Sequence, residues 1–193
     1  MLKWILGTIL GVVLGLLVYF SWYLGVFKPV NLVEKQVGPL HLLYKNHVGA
    51  YHKIVPVLNE VEKWAKENHI SCERTFGEYL DNPNTVEEGR LRANAGCVIA
   101  ESSPVASSAA VAAPLLTQLP AQLPEGYFTR EVPAKKYVTV VFEGSPGIGP
   151  MVVYPKVTDY FDAKRATIAG PVFELYKITS EKSMSTTYLF PME

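Results

Sequence analysis

The chain opens on a run without charge. Trp4–Phe27, WILGTILGVVLGLLVYFSWYLGVF, holds 24 residues. At about 1.5 Å per residue such a helix reaches about 36 Å, enough to cross the apolar core of a bilayer with some tilt. Trp4 stands near one end, and Trp22 and Tyr23 near the other, as interfacial aromatics do. A cleaved signal peptide would have a shorter apolar core and a small-x-small site. This run ends in Tyr-Leu-Gly-Val-Phe-Lys-Pro. The reading is a single-pass transmembrane anchor over residues 1–28, meeting the lipid bilayer through residues 4–27. Lys3 precedes it, and Lys28 and Lys35 follow it, so the side of the membrane on which the rest lies is undetermined.

After the anchor the period changes. Asn31–Val37 and Leu40–Val48 read as strands around a Gly38-Pro39 turn. Tyr51–Asn68 reads as a helix, with Ile54, Val57, Leu58, Val61, Trp64 and Ala65 on one face. Cys72–Leu80 and Leu91–Ala100 read as a strand pair joined by the turn chemistry of DNPNTVEEGR. Residues 101–126, rich in Ala, Ser and Pro, read as a connector with one helical turn around Leu115–Leu119. Then the order repeats: strands Phe128–Val132 and Lys136–Glu143, helix Val153–Arg165, strands Pro171–Ile178 and Ser183–Pro191.

The two halves overlay. VPVLNEVEKW (55–64) falls on YPKVTDYFDA (154–163), and FGEYLDNP (76–83) on FELYKITS (173–180). The expected fold is therefore α+β: duplicated strand-strand-helix-strand-strand halves, residues 30–100 and 127–193, within one domain over 29–193. Two helices would cover one face of the antiparallel sheets, and a cleft would form where the halves meet.

Within GPVFELYK (170–177) a carboxylate interrupts an apolar strand. Side chains alternate, so Glu174 shares a face with Val172, Tyr176 and Ile178. One reading is a half-wet edge strand. The other is a carboxylate set in an apolar cleft. The overlay puts Glu174 on Gly77, so one half brings a charge where the other brings nothing, with Tyr79 and Tyr176 flanking. Tyr44, Tyr51 and Tyr188 complete a possible aromatic wall for a cation. The candidate ligand-binding residues are Glu174, Tyr176, Tyr79 and Tyr44. Binding ranks first, edge placement second and catalysis third, because no second polar group to assist Glu174 is visible in the sequence.

Charge and composition narrow the classes. Setting aside Lys3 and Lys28 leaves 16 Lys and Arg against 18 Asp and Glu, a net charge of −2 with no basic block. Nucleic acid is not an expected partner. The four histidines show no metal spacing, and no cofactor is implied. GSPGIGPM (144–151) lacks the Lys-Ser/Thr of a phosphate loop and reads as a turn. Cys72 and Cys97 read as two buried thiols, with a bridge open to them only in an oxidising compartment.

These motifs in this order, YKNHVGAY (44–51), YLDNP (79–83), GYFTREVPAKKYVTVVFEG (126–144), GPVFELY (170–176) and TTYLFP (186–191), resemble the GyrI-like (gyrase-inhibitor-like) small-molecule-binding superfamily over about residues 38–193. The pattern is most similar to its membrane-anchored branch, that of the testis-expressed ER-phagy receptor. That branch works through an acidic tail with an aromatic-x-x-aliphatic motif. The chain given ends at Glu193, and its Tyr137-Val-Thr-Val140 match falls in a predicted core strand. The superfamily implies an effector-binding module for lipophilic or cationic molecules, some members hydrolysing strained compounds, with the glutamate of an E-x-Y strand as the central acid. Here that pair is Glu174 and Tyr176. The family's Asn-Asp-Pro after that strand is Ile178-Thr179-Ser180 in this chain. The resulting expectation is a membrane-anchored domain binding a small hydrophobic, amphipathic or cationic ligand, or a protein segment, in the inter-half cleft. The alternatives are an adaptor of the ER-phagy type and a Glu174-dependent hydrolase.

Overall fold

The computed structural model describes residues 2–101, 119–120, 122–180 and 183–193. The elements are α1 (Leu2–Leu24), β1 (Leu32–Val37), β2 (Leu40–Val48), α2 (Val55–Glu67), β3 (Arg74–Tyr79), β4 (Arg92–Glu101), β5 (Tyr127–Val132), β6 (Lys135–Glu143), α3 (Gly149–Lys164), β7 (Val172–Ser180) and β8 (Ser183–Pro191). Single 3-10 turns stand at Tyr51–Lys53 and Glu88–Arg90. Apart from Leu119, the expected helical turn around 115–119 lies outside the described residues.

Both helix starts differ from expectation, and proline accounts for part of it. The first turn of a helix tolerates a proline, because the missing N–H would have no intrahelical acceptor there. The α2 region is a 3-10 turn up to Lys53 and becomes α-helical at Val55, with Pro56 in the first turn. Residues 149–151, expected as part of a turn, instead form the first turn of α3 with Pro150, and Pro155 falls inside the helix.

All eight strands form one antiparallel sheet in the order β1-β6-β8-β7-β3-β4-β2-β5. The expected hairpins at Gly38-Pro39 and Pro133-Ala134 do not form. β1 pairs with β6, and β2 with β4 and β5. In a flat sheet, β1 and β2 would lie six strand spacings apart, about 29 Å. The step from Val37 to Leu40 covers about 10 Å at most. The sheet must therefore roll until its ends meet. The meeting point is tight: a Cβ on Gly38 would stand 3.2 Å from the Ala134 Cα.

The roll has a filled interior. Val37, Leu40, Leu42, Phe76, Val98, Tyr137, Phe173, Leu175 and Leu189 pack there. The outer face carries the helices. Val61 and Ala65 of α2 pack on Leu43, Cys97 and Ile99, while Val153, Val157 and Phe161 of α3 pack on Val138, Val140, Phe142, Tyr188 and Phe190. Tyr137-Val-Thr-Val140 lies buried in β6 between β1 and β8.

Cys72 and Cys97 are joined as a disulfide, which corrects the expectation of two thiols. Cys97 pairs in register with Thr75 of β3, three residues after Cys72, so the strand pairing itself delivers the two Cα atoms to 5.3 Å. That separation is within bridging range.

Candidate ligand-binding site

Strand register writes out the floor of the site. One row crosses all eight strands: Tyr127, Lys45, Ala95, Gly77, Glu174, Tyr188, Val140 and Leu32. All eight lie on the outer face, because paired residues share a face and successive residues alternate. Near Ala95 the row is roofed by α2, and near Tyr188 and Val140 by α3. Gly77 and Glu174 lie between the helices. The edge-strand reading of Glu174 therefore fails, since β7 is an interior strand between β3 and β8.

Glu174 is 4% exposed. Its Oε1 accepts a hydrogen bond from the Tyr154 hydroxyl at 3.1 Å, and its Oε2 one from the Tyr176 hydroxyl at 2.9 Å. Tyr176 spends its single proton on Glu174, so the 2.8 Å contact between the Tyr79 and Tyr176 hydroxyls must be donated by Tyr79. The chain runs Tyr79 to Tyr176 to Glu174, with Tyr154 arriving from α3. Tyr51 packs edge-on against Tyr79, with centroids 4.7 Å apart, and its hydroxyl donates to the Asp81 carbonyl. Gly77 makes the arrangement possible: a Cβ there would stand 3.1 Å from the Tyr79 ring and hydroxyl.

Among the described residues no Lys, Arg or His lies within ion-pair distance of Glu174. Burial raises its pKa from 4.5 to about 7, against the opposing hydrogen bonds from Tyr176 and Tyr154. Burial, and then the nearby carboxylate and tyrosines, raise the pKa of Tyr79, Tyr154, Tyr176 and Tyr188 above the ordinary phenol range. All four remain neutral donors at physiological pH. Two buried hydroxyls on the same floor, Thr186 Oγ1 and Tyr188 OH, have no hydrogen-bond partner among the described residues.

Glu78, the neighbour of Gly77, supplies a contrast. It is 3% exposed but faces into the roll. Its Oε2 takes hydrogen bonds from Arg130 at 2.6 Å and Asn94 at 2.7 Å. A crevice of about 250 Å³ opens beside it, lined in part by Arg130, Lys135, Tyr137 and Phe173. One buried carboxylate has a guanidinium partner. The other, among the described residues, has only phenols.

The structure brings Glu174, Tyr176 and Tyr79 together. It does not bring Tyr44. Tyr44 pairs with Gly96, which pairs with Phe76 on the inner face, and its ring lies under Arg130. The sequence reading missed Tyr154 as a site residue. The overlay aligned it with Val55, so an aromatic at an otherwise aliphatic helix start was the available signal.

The Glu174 carboxylate thus lies between two helices on the outer face of a rolled antiparallel sheet. A model of the GyrI-like small molecule binding domain family matches residues 31–193, and the chain belongs to this family. A DNA gyrase inhibitor of Pectobacterium carotovorum subsp. carotovorum (strain PC1) is 38% identical over 48 residues, 24% of this chain and 31% of that protein. The chain thus aligns with about a third of that relative's length. The EcmrR C-terminal domain gives a TM-score of 0.59 at 13% identity, covering 85% of this chain and 98% of that one. EcmrR in its DNA complex gives 0.61 at 12%, covering 85% and 57%. SAV2435 bound to tetraphenylphosphonium gives 0.50 at 14%, covering 84% and 94%. At these identities the likeness is one of fold. The finer assignment to the ER-phagy receptor branch is not carried by these matches.

Proposed function

We propose that this chain is a membrane-anchored module that binds a lipophilic or amphipathic cation between α2 and α3, with Glu174 as the counter-charge. The observation that carries the reading is a buried carboxylate met only by phenol hydroxyls, beside a second buried carboxylate that has its own arginine. A unit cation about 4 Å from Glu174 gains about 4 kcal/mol at an effective dielectric of 20, against about 1 kcal/mol in water. A strongly hydrated ammonium would lose much of that gain on desolvation. A cation with apolar substituents would not, and the rings of Tyr51, Tyr79, Tyr154 and Tyr176 offer it π faces.

Three further observations support parts of this reading. SAV2435, of the same fold, was solved with tetraphenylphosphonium, a cation of this class. The strand order is unchanged when β1–β4 are exchanged with β5–β8, and Gly77 and Glu174 are register partners, as a duplication with a local twofold between them would require. α1 is long and apolar enough to span a bilayer by length and composition, and the Cys72–Cys97 disulfide favours placing the domain on the oxidising side.

The test is calorimetry of the full chain in nanodiscs with tetraphenylphosphonium, and with triphenylphosphine oxide as a neutral comparison. The expected result is binding of the cation alone. Affinity should be flat above pH 7 and fall tenfold per pH unit below it, and Glu174→Gln should weaken it at least tenfold. Equal affinity in the variant overturns the counter-charge role. Hydrolysis is the second reading, favoured by a Glu174 pKa of about 7 and by Tyr154 as the assisting group that the sequence did not reveal. Conversion of a bound compound, seen by mass spectrometry and lost in Glu174→Gln, would select it.

A further inference from the structure

The exit of α1 is fixed to the domain. The Leu24 carbonyl accepts a hydrogen bond from the Ser145 N–H at 3.2 Å. Gly25 is buried, and a Cβ on it would stand 3.3 Å from both the Gly144 Cα and Phe142 Cζ. The apolar helix therefore ends on the β6–α3 connection, and the end of the domain that holds this connection is set where α1 leaves the bilayer.

Along β7, the step from Glu174 to Tyr176 leads toward that same end. Phe142, touched by Gly25, pairs with Thr186, which pairs with Tyr176. Tyr176 is two strand spacings from Phe142, about 10 Å. Beyond Tyr176 on the same face comes Ile178, 69% exposed, paired with Met184. α3 starts five residues after Gly144, and Met151, one turn before Tyr154, is 74% exposed. Phe27, just past α1, is 66% exposed. Three large apolar side chains thus stand unburied at the α1 end of the domain.

We propose that this rim of Phe27, Met151 and Ile178 rests in the lipid headgroup region, so that the cleft opens onto the bilayer and takes its guests from it. Amphipathic helices and exposed aromatics bury their apolar side at this depth. Continuity with α1 commits the rim to lipid rather than to a protein partner. The inference rests on the anchored, ligand-binding reading above. It adds that the site selects among molecules already concentrated in the membrane.

The test uses the full chain in phosphatidylcholine nanodiscs, with a nitroxide on Met151→Cys, Ile178→Cys or, as a control on the exposed β3–β4 loop, Glu87→Cys. Power saturation compares collisions with oxygen, which partitions into lipid, and with a water-soluble nickel chelate. The expected result is that labels at 151 and 178 favour oxygen and the label at 87 favours nickel. Nickel access at 151 and 178 equal to that at 87 overturns the proposal, and does so even if tetraphenylphosphonium binds. Oxygen-favoured labels on a chain that binds no cation would support the seating while removing the ligand reading, so the two failures are distinct.

Discussion

Replacing Glu174 by Gln keeps the shape of the side chain and removes its titration. The wild-type group has a pKa of about 7 in the native state against 4.5 as the ordinary value. At about 1.36 kcal/mol per pH unit, that rise corresponds to about 3 kcal/mol. The sign follows from proton counting. Between the two values the native state keeps the proton that the unfolded chain has lost, so stability is greatest below pH 4.5 and falls as pH rises through 7. Between pH 5 and pH 8.5 the fall is about 2–3 kcal/mol. Because other groups titrate over the same range, the informative quantity is the difference between wild type and Glu174→Gln. Urea unfolding at both pH values should show the variant gaining about 2–3 kcal/mol relative to wild type on going to pH 8.5. In a thermal scan that gain is about 5–10 °C for a domain of this size. A difference that does not change with pH would refute the reasoning, because it would mean that water or a cation reaches the carboxylate.

Three other outcomes follow from the same geometry. Tyr154→Phe removes one of two donors to ionised Glu174 and should raise the pH midpoint of tetraphenylphosphonium binding by about one to two units, read by calorimetry across pH. Reducing the Cys72–Cys97 disulfide, which closes a loop of sequence separation 25, should lower stability by about 3.5 kcal/mol, measured by denaturant unfolding with and without reductant. Gly149→Ala would put a Cβ 2.1 Å from the Tyr188 hydroxyl and should destabilise by about 1–3 kcal/mol. Tyr188→Phe, which deletes an unpartnered buried hydroxyl, should be neutral or stabilising and should rescue much of the Gly149→Ala loss, as thermal unfolding of the double variant would show.

What the sequence could determine was whatever has a local period. The charge-free run at 4–27, the 3.6-residue face of α2 and the alternation of β7 are nearest-neighbour properties, and each element is present with its ends shifted: α1 spans Leu2–Leu24, α2 Val55–Glu67 and β7 Val172–Ser180. The pairing of Glu174 and Tyr176 on one face, two residues apart, is present as well. The expected overlay of the halves pointed to Tyr79, whose hydroxyl stands 2.8 Å from that of Tyr176.

Tertiary structure decided everything that depends on which strand lies beside which. Alternation says that Leu43 and Tyr44 face opposite ways, but not which way is toward Glu174. The order β3-β4-β2 puts Leu43 under α2 and sends Tyr44 into the roll. Glu78 and Glu174 are both strand carboxylates, and only the roll, by carrying Arg130 of β5 over to Glu78, gives one a guanidinium partner, while the other is met by the Tyr154 and Tyr176 hydroxyls. Tyr154 reaches Glu174 through the rotation of α3 on β6 and β8, a packing outcome with no signature in local spacing. The sheet rolls because two-residue links join strands that sit six places apart. That closure is a property of the whole strand order, and no segment of the chain carries it alone.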